Sequence, residues 1–295
     1  MQWEKSNHKE SSPFFYEGDN DLMNIEVRLL LEAIYLRYGY DFRHYSKAHL
    51  KRRISHRLSI SHIKTISQLQ DKILWDRQFF FEFLEDLSIN VTEMFRDPEC
   101  FLEFRKSIIP VLSTYAFIKI WIAGCATGEE VYSLAILLEE ENLLNRTQIY
   151  ATDFNKNVLN TARQGIYSSQ NMDLYSRNYK KAGGKKELSD YYTSKYGSVI
   201  FDKSLLKRIV FADHNLVTDS VFSEVHLISC RNVLIYFEKK LQNHVIGLFH
   251  KSLSNKGFLC LGTKESLRFT NYEDGFTTIN EKAKIYRKKP IYSKK

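Results

Sequence analysis

The chain is poor in cysteine. Its four cysteines, Cys100, Cys125, Cys230 and Cys260, stand far apart and form no C-x-x-C pair. Neither a zinc site nor a disulfide framework is therefore expected, and the four read as buried, reduced thiols. Long apolar runs are also missing, which excludes a membrane-spanning helix of the usual length. The opening segment MQWEKSNHKESSPFFYEGDND is polar and has none of the apolar stretch of a secretory signal. A cytoplasmic protein with no membrane insertion is the expectation.

What is present suits a globular protein. Of 295 residues, 43% are hydrophobic and 26% charged, and that length accommodates one large domain with a smaller companion. Lysine and arginine outnumber aspartate and glutamate by 43 to 35, a formal charge of +8. A basic balance favours an acidic partner, which charge alone leaves open among nucleic acid, anionic lipid and an acidic protein surface.

Two textures follow a polar tail at 1–20. From 21 to 88 the pattern is helical, with Ile25, Leu29, Ala33 and Leu36, then Leu50, Ile54 and Leu58, then Phe80, Phe83, Leu84 and Leu87 at three- and four-residue spacing. About four short helices are expected. The second, YSKAHLKRRISHRLSI, carries Lys47, Lys51, Arg52, Arg53, His56 and Arg57 around one apolar stripe. Such a helix is either a solvated basic face or a docking surface for an acidic partner.

From 89 to 295 strands and helices alternate. Asp97, Pro98 and Glu99 supply a cap, a first-position proline and an early acid, predicting a helix that runs to about Tyr115. FIKIWIAG, TQIYATD, KRIVFADHN, VHLISCRN and GFLCLGT read as strands, with helical patterns between most of them. Alternation of this kind predicts a doubly wound, Rossmann-like α/β sheet. FTTINEKAKIYRKK is a candidate closing hairpin. The stretch from about 166 to 212 breaks the alternation, and YYTSKYGSVIFDK within it predicts a small antiparallel insertion turning at Tyr196-Gly197.

The segment IKIWIAGCATGEEVYSLA places a glycine turn between a strand and a helix start, a geometry that holds ligands at the C-terminal ends of parallel strands. A phosphate loop would need Gly-Lys-Ser/Thr, whereas Gly128 is followed by Glu129 and Glu130. The dinucleotide pattern G-x-G-x-x-G is absent as well, with only Gly124 and Gly128 in place. Asp153 ends the next strand, where such sheets set a carboxylate for ribose hydroxyls, although it could equally cap the helix that follows. Acids instead of a lysine at the loop suit S-adenosylmethionine, whose sulfonium and amino groups are cationic.

NVTEMFRDPECF from Asn90, AGCATGEEVYSLA from Ala123, ATDFN from Ala151, HNL from His214 and CRNVLIYF from Cys230 together resemble the CheR family of chemotaxis receptor methyltransferases. Their order, their spacing and the basic helical region before them agree, over roughly 21 to 287. The resemblance implies an S-adenosylmethionine-dependent methyltransferase domain preceded by an all-α domain. The implied product pair is a glutamate methyl ester on a chemotaxis receptor, or a similar coiled-coil sensor, and S-adenosylhomocysteine. No metal is implied.

Carried over residue by residue, the resemblance implies that Asn90, Thr92 and Arg96 line the cofactor pocket, with Arg96 near the methyl-transfer centre. Gly124 forms the turn, and either Glu129 or Glu130 faces the cofactor, the family spacing favouring Glu130. Asp153 takes the ribose, Asn215 with Leu216 the adenine side, and Arg231 with Asn232 the pocket floor. Tyr236 matches the family's active-site tyrosine. Arg53 and Arg57 are the implied grip on an acidic receptor helix. Family members that bind a receptor's C-terminal peptide use a loop of the β insertion, which is short here, so an enzyme independent of such tethering is expected. A nucleic-acid methyltransferase is the rival enzyme, but the Asp/Asn-Pro-Pro-aromatic motif of amine-methylating enzymes is replaced by CRNVLIYF. An inactive cofactor-binding scaffold is the non-enzymatic rival, against which the intact set Arg96, Glu130, Asp153, Asn232 and Tyr236 speaks.

Overall fold

The computed structural model describes residues 20–88, 92–221 and 223–290 and divides the chain into two compact units at Leu87/Ser88. The first unit holds four helices: α1 (Asn20–Tyr38), α2 (Lys47–Ile60), α3 (Ile66–Trp75) and α4 (Arg77–Leu87). Thr65 caps α3 by accepting the Gln68 N–H at 3.1 Å. Tyr38 stacks on Phe80 at 3.7 Å between centroids and donates its hydroxyl to the Ile73 carbonyl, tying α1 to α3 and α4.

The core face of α1 differs from the expected one. Val27, Leu30, Leu31 and Ile34 are buried, whereas Ile25, Leu29 and Leu36 are 46%, 51% and 75% exposed. The helix is apolar on two faces with equally good spacing, and packing against α3 selects between them. The stripes of α2 and α4 are buried as expected at Leu50, Ile54, Leu58, Phe80, Phe83 and Leu84.

Arg57 also departs from its expected role. Its guanidinium pairs with Asp86 and Glu82 and donates to the Glu82 carbonyl at 2.8 Å, joining α2 to α4 from a buried position. That occupied group holds its own unit together and is not presented to a partner.

In the second unit, α5 (Pro98–Glu103), one π-helical turn and α6 (Ile109–Leu112) form a continuous rod that ends three residues short of Tyr115. Asp97 is not its side-chain cap: its backbone is left-handed (φ 54°) and its carboxylate turns to Arg231. β1 (Ile118–Ala123), α7 (Glu129–Glu140), β2 (Thr147–Asp153) and α8 (Lys156–Gln164) follow. The insertion contains β3 (Ile166–Ser168), α9 (Met172–Lys181), β4 (Tyr192–Lys195) and β5 (Ser198–Phe201). Then come β6 (Ile209–Asp213), β7 (Val225–Cys230), α10 (Lys239–Ser252), β8 (Leu253–Leu261), β9 (Phe276–Asn280) and β10 (Ile285–Lys288).

The main sheet runs β6-β2-β1-β7-β8-β10-β9. Its first five strands are parallel, and the β9–β10 hairpin adds the antiparallel edge. β1 is central, with Ile120 level with Ile149 on one side and Leu227 on the other. Strand order reverses there, which opens a crevice at the C-terminal ends of β1, β2 and β7. Apolar residues such as Ile120, Ile149, Leu227, Leu134 and Leu138 fill the core between sheet and helices.

The insertion is a three-stranded antiparallel sheet, β3-β5-β4, with a two-residue turn at Tyr196-Gly197 whose φ values of 51° and 75° suit a hairpin of matching twist. It closes before 212, because β6 pairs with β2 from Ile209 onward and belongs to the main sheet. Helix α9 within it was not expected from the sequence. Half-buried Arg105, from the π turn, ties the insertion down by pairing with Glu140 and Glu141 and donating to the Ala182 carbonyl.

Removing one partner of a buried ion pair strands the other. Arg57→Ala should lower the opening free energy of the helical unit by about 3 kcal/mol, while exposed Arg52→Ala should change it by less than about 0.5 kcal/mol. Hydrogen exchange at the α2 and α4 amides of the full chain reads this unit separately from the other.

Candidate functional site

The glycine turn after β1 is built around two residues that admit no side chain. Gly124 (φ 74°) would put a Cβ 2.5 Å from the Val233 side chain, and Gly128 (φ 96°) would put one 2.8 Å from Ala162 Cβ. The turn's amides bond mostly to the protein itself. Gly124 and Cys125 donate to the Thr152 carbonyl, Ala126 to Asp153 Oδ2 at 3.0 Å, and Gly128 to the Cys125 carbonyl. This arrangement does not aim a fan of N–H groups at a polyphosphate.

Asp153 is buried at the end of β2, and burial raises its carboxyl above the usual range against the pull of neighbouring N–H donors. Besides Ala126 it accepts the Asn155 N–H at 3.0 Å. The cap of α8 is Asn155, which accepts from Asn157 at 2.9 Å, so capping is not the role of Asp153. Its carboxylate fastens the glycine turn to the next strand at the mouth of the crevice.

Glu129 and Glu130 face different surroundings. Glu130, on the β7 side, accepts the Ser229 hydroxyl and pairs with Arg231 Nη1 at 3.3 Å. Glu129 is 6% exposed and accepts the Thr127 hydroxyl at 2.6 Å. Its carboxyl is pushed up to about 7, chiefly by burial, with the Thr127 hydrogen bond opposing.

Arg231 follows β7 with its side chain 2% exposed. Nη1 meets Glu130, while Nη2 donates to the Arg96 carbonyl at 2.6 Å and to Asp97 Oδ2 at 2.9 Å. The guanidinium lies over the Phe101 ring at 5.5 Å. Segment 94–97 is held from two more sides: Ser133 Oγ accepts the Phe95 N–H at 2.8 Å, and Asn178 donates to the Met94 carbonyl at 3.1 Å. Phe95, Asp97, Ala126 and Asn232 all have left-handed backbones, at φ 51°, 54°, 47° and 61°. Strained residues of this kind persist where surrounding contacts over-determine them, as they do at functional sites.

Arg96 itself is half-buried on that clamped segment, as is Thr92. Asn90 lies outside the described residues. Asn232 and Tyr236 are half-buried, Tyr236 in a short 3-10 turn (Leu234–Tyr236). On the far side of the crevice, Asn215 accepts the Val217 N–H at 3.0 Å, and Leu216 is buried. His214 beside them packs edge-on against Trp121. Arg53 is on the helical unit, half-buried, with its Nε lacking a hydrogen-bond partner among the described residues.

Four residues of the site escaped sequence reasoning: Ser133, Asn178, Ser229 and Glu265. Ser229 alternates with strand residues and Ser133 sits inside an apolar helix, where a hydroxyl gives only a weak signal. Glu265 lies after β8 and accepts the N–H groups of Asn232 and Gly262 at 2.9 and 2.5 Å and of Ile235 at 3.3 Å.

The donor set fits a ligand with cationic groups. Glu130 and Asp153 stand at the strand ends that border the crevice, and buried Arg231 is shared between Glu130 and Asp97. The sulfonium and amino groups of S-adenosylmethionine match these carboxylates.

Glu129 gives the site a pH signature. Its folded-state value of about 7 lies above its ordinary 4.5, so folding favours the protonated form. The stabilisation is present below about pH 4.5 and is lost as pH rises to about 7, a swing on the order of 3 kcal/mol. Without ligand, Glu129→Gln should flatten the fall of melting temperature over that window; an unchanged profile would show that Glu129 does not titrate there.

Comparison with known proteins agrees with this geometry. Residues 90–285 match the CheR methyltransferase, SAM binding domain, and residues 25–88 match the CheR methyltransferase, all-alpha domain. A protein of Pseudomonas putida, named provisionally as methyltransferase Cher3, is 56% identical over 265 residues, covering 90% of this chain and 97% of its own. The chemotaxis protein methyltransferase of Borreliella burgdorferi is 30% identical over 264 residues, covering 82% of this chain and 88% of its own. That of Listeria monocytogenes is 29% identical over 244 residues, covering 82% and 90%. With its α-helical unit and its S-adenosylmethionine-binding unit both matched, the chain belongs to the CheR methyltransferase family.

Proposed function

We propose that the protein methylates glutamate side chains on the helical cytoplasmic region of a chemotaxis receptor or related sensor, giving glutamate methyl esters and S-adenosylhomocysteine. The observation that carries this reading is the buried Arg231. By gripping the Arg96 carbonyl and Asp97 it holds the half-buried Arg96 beside the carboxylate end of the crevice. Family membership supplies the reaction class.

When bound, S-adenosylmethionine supplies an electrophilic methyl group on a sulfonium. The chain's own residues have little proton transfer to perform, because a glutamate side chain with a pKa of about 4.3 is already ionised at neutral pH. Their work is positioning and exclusion of water. Arg96 receives the incoming carboxylate by a charge-assisted hydrogen bond, and Tyr236 orients it with another. Glu130 and Asp153 hold the cationic and ribose ends of the cofactor, Asn215 and Leu216 the adenine side, Thr92 and Asn90 the flank, and Arg231 with Asn232 the floor. A clamp that fully neutralised the substrate would stabilise the ground state, so orientation is the role assigned to Arg96.

Receptor docking falls to the basic face of α2. With Arg57 occupied internally, Arg53 carries the proposal together with exposed Lys47 and Arg52. Both Arg52 and Arg53 help to lower the nearby His49 pKa, after burial as the main cause, which marks a positive local potential. The short β4–β5 turn supports recognition that does not depend on a tethered receptor peptide.

Labelled S-adenosylmethionine incubated with receptor cytoplasmic fragments should give a base-labile label; label on RNA or DNA, or none, would reject the reading. Arg96→Ala should lower turnover more than cofactor affinity, and lost binding with unchanged turnover would remove it from the substrate side. Arg53→Glu should weaken receptor methylation most at low salt and leave cofactor binding intact; insensitivity to both charge and salt would return α2 to a solvated face.

A further inference from the structure

We propose that Glu265 is a positioning residue that preforms the pocket floor, acting through the backbone of the Arg231–Tyr236 turn. The inference rests on the cofactor-site reading above. Glu265 is 4% exposed on the loop after β8, in sequence far from every residue assigned to the cofactor. One carboxylate oxygen, Oε2, accepts both the Asn232 N–H at 2.9 Å and the Gly262 N–H at 2.5 Å, and Oε1 accepts the Ile235 N–H at 3.3 Å. Three backbone donors from two neighbouring strand ends therefore converge on one buried anion.

The backbone around it needs such a partner. Asn232 is left-handed at φ 61°, which costs free energy unless held. Gly262 makes the close approach possible: a Cβ there would lie 2.7 Å from the Asn232 nitrogen and 2.8 Å from Glu265 Oε2. The far end of the same turn is held by Gln242 of α10, which donates to the Leu234 and Phe237 carbonyls at 2.9 and 3.0 Å. Glu265 fixes the end bearing Arg231 and Asn232, and Gln242 the end bearing Tyr236. Burial raises the Glu265 carboxyl above its ordinary value while the three N–H donors, with that of Leu234, hold it down. An anion at the centre of donors fits that balance better than any apolar replacement.

Glutamine in place of Glu265 keeps the volume but turns an acceptor oxygen into a donor facing an N–H. Glu265→Gln should therefore melt within a few degrees of wild type while its affinity for S-adenosylhomocysteine, read by calorimetry, falls about 10- to 100-fold. Glu265→Asp, which keeps the charge, should recover part of that loss. Unchanged affinity, or a loss that merely follows melting temperature across both variants, would overturn the proposal. Should neither variant fold, the wild-type chain decides: the Asn232 and Gly262 amides should exchange slowly with no ligand added, and fast exchange that slows only with S-adenosylhomocysteine would overturn a preformed floor. Because the readout is product binding, failure of wild type to bind S-adenosylhomocysteine would count against the cofactor site. Failure to methylate a receptor fragment would count against the acceptor assignment alone.

Discussion

A single buried guanidinium organises the methyltransferase unit. Arg231, at the end of β7, meets Glu130 on α7 and Asp97 with the Arg96 carbonyl on the segment before α5. A charge so deeply buried is tolerable only when paired, and its partners come from two distant parts of the sequence, the segment at Arg96 and Asp97 and Glu130 on α7. The requirement for charge balance thus brings together the elements that surround the crevice. Clamping by Ser133 and Asn178 then holds Phe95 and Asp97 in left-handed conformations that no isolated peptide would keep.

A second carboxylate plays the corresponding part on the other side of β1. Asp153 joins the Ala126 amide to the start of the segment leading into α8, so that the glycine turn and the β2 end move as one piece. Glu265 does the same for the turn after β7. The crevice is therefore walled by loops whose positions are set by anions accepting backbone N–H groups, each worth more than a neutral hydrogen bond because donor and charge are both out of water. Rigid walls of this kind suit a reaction that depends on alignment more than on proton transfer.

Much of this was legible in the chain. The alternation of β-branched runs with helical patterns marks the five parallel strands, and the glycine turn with two following glutamates marks the junction of β1 and α7 at the crevice. Where reading failed, the cause was physical. The face of α1 that is buried could not be told from Ile25, Leu29 and Leu36, because Val27, Leu30 and Ile34 repeat with the same period. Asp97 carries every local mark of a helix cap, yet a distant arginine competes for its carboxylate more strongly than the nearby amides do. Arg57 has the look of a surface charge until Asp86 and Glu82 are folded against it.

Local sequence alone determined the two-part organisation, the identity and order of the strands, the glycine turn and the family of motifs that line the crevice, since these follow from periodicity, turn chemistry and residue type within a few positions. Tertiary structure alone decided which charges became internal. Pairings such as Arg231 with Glu130, Arg105 with Glu140 and Glu265 with the Asn232 amide span 101, 35 and 33 residues of chain. Their strength comes from burial, and burial is a property that a side chain acquires only when the rest of the fold closes around it.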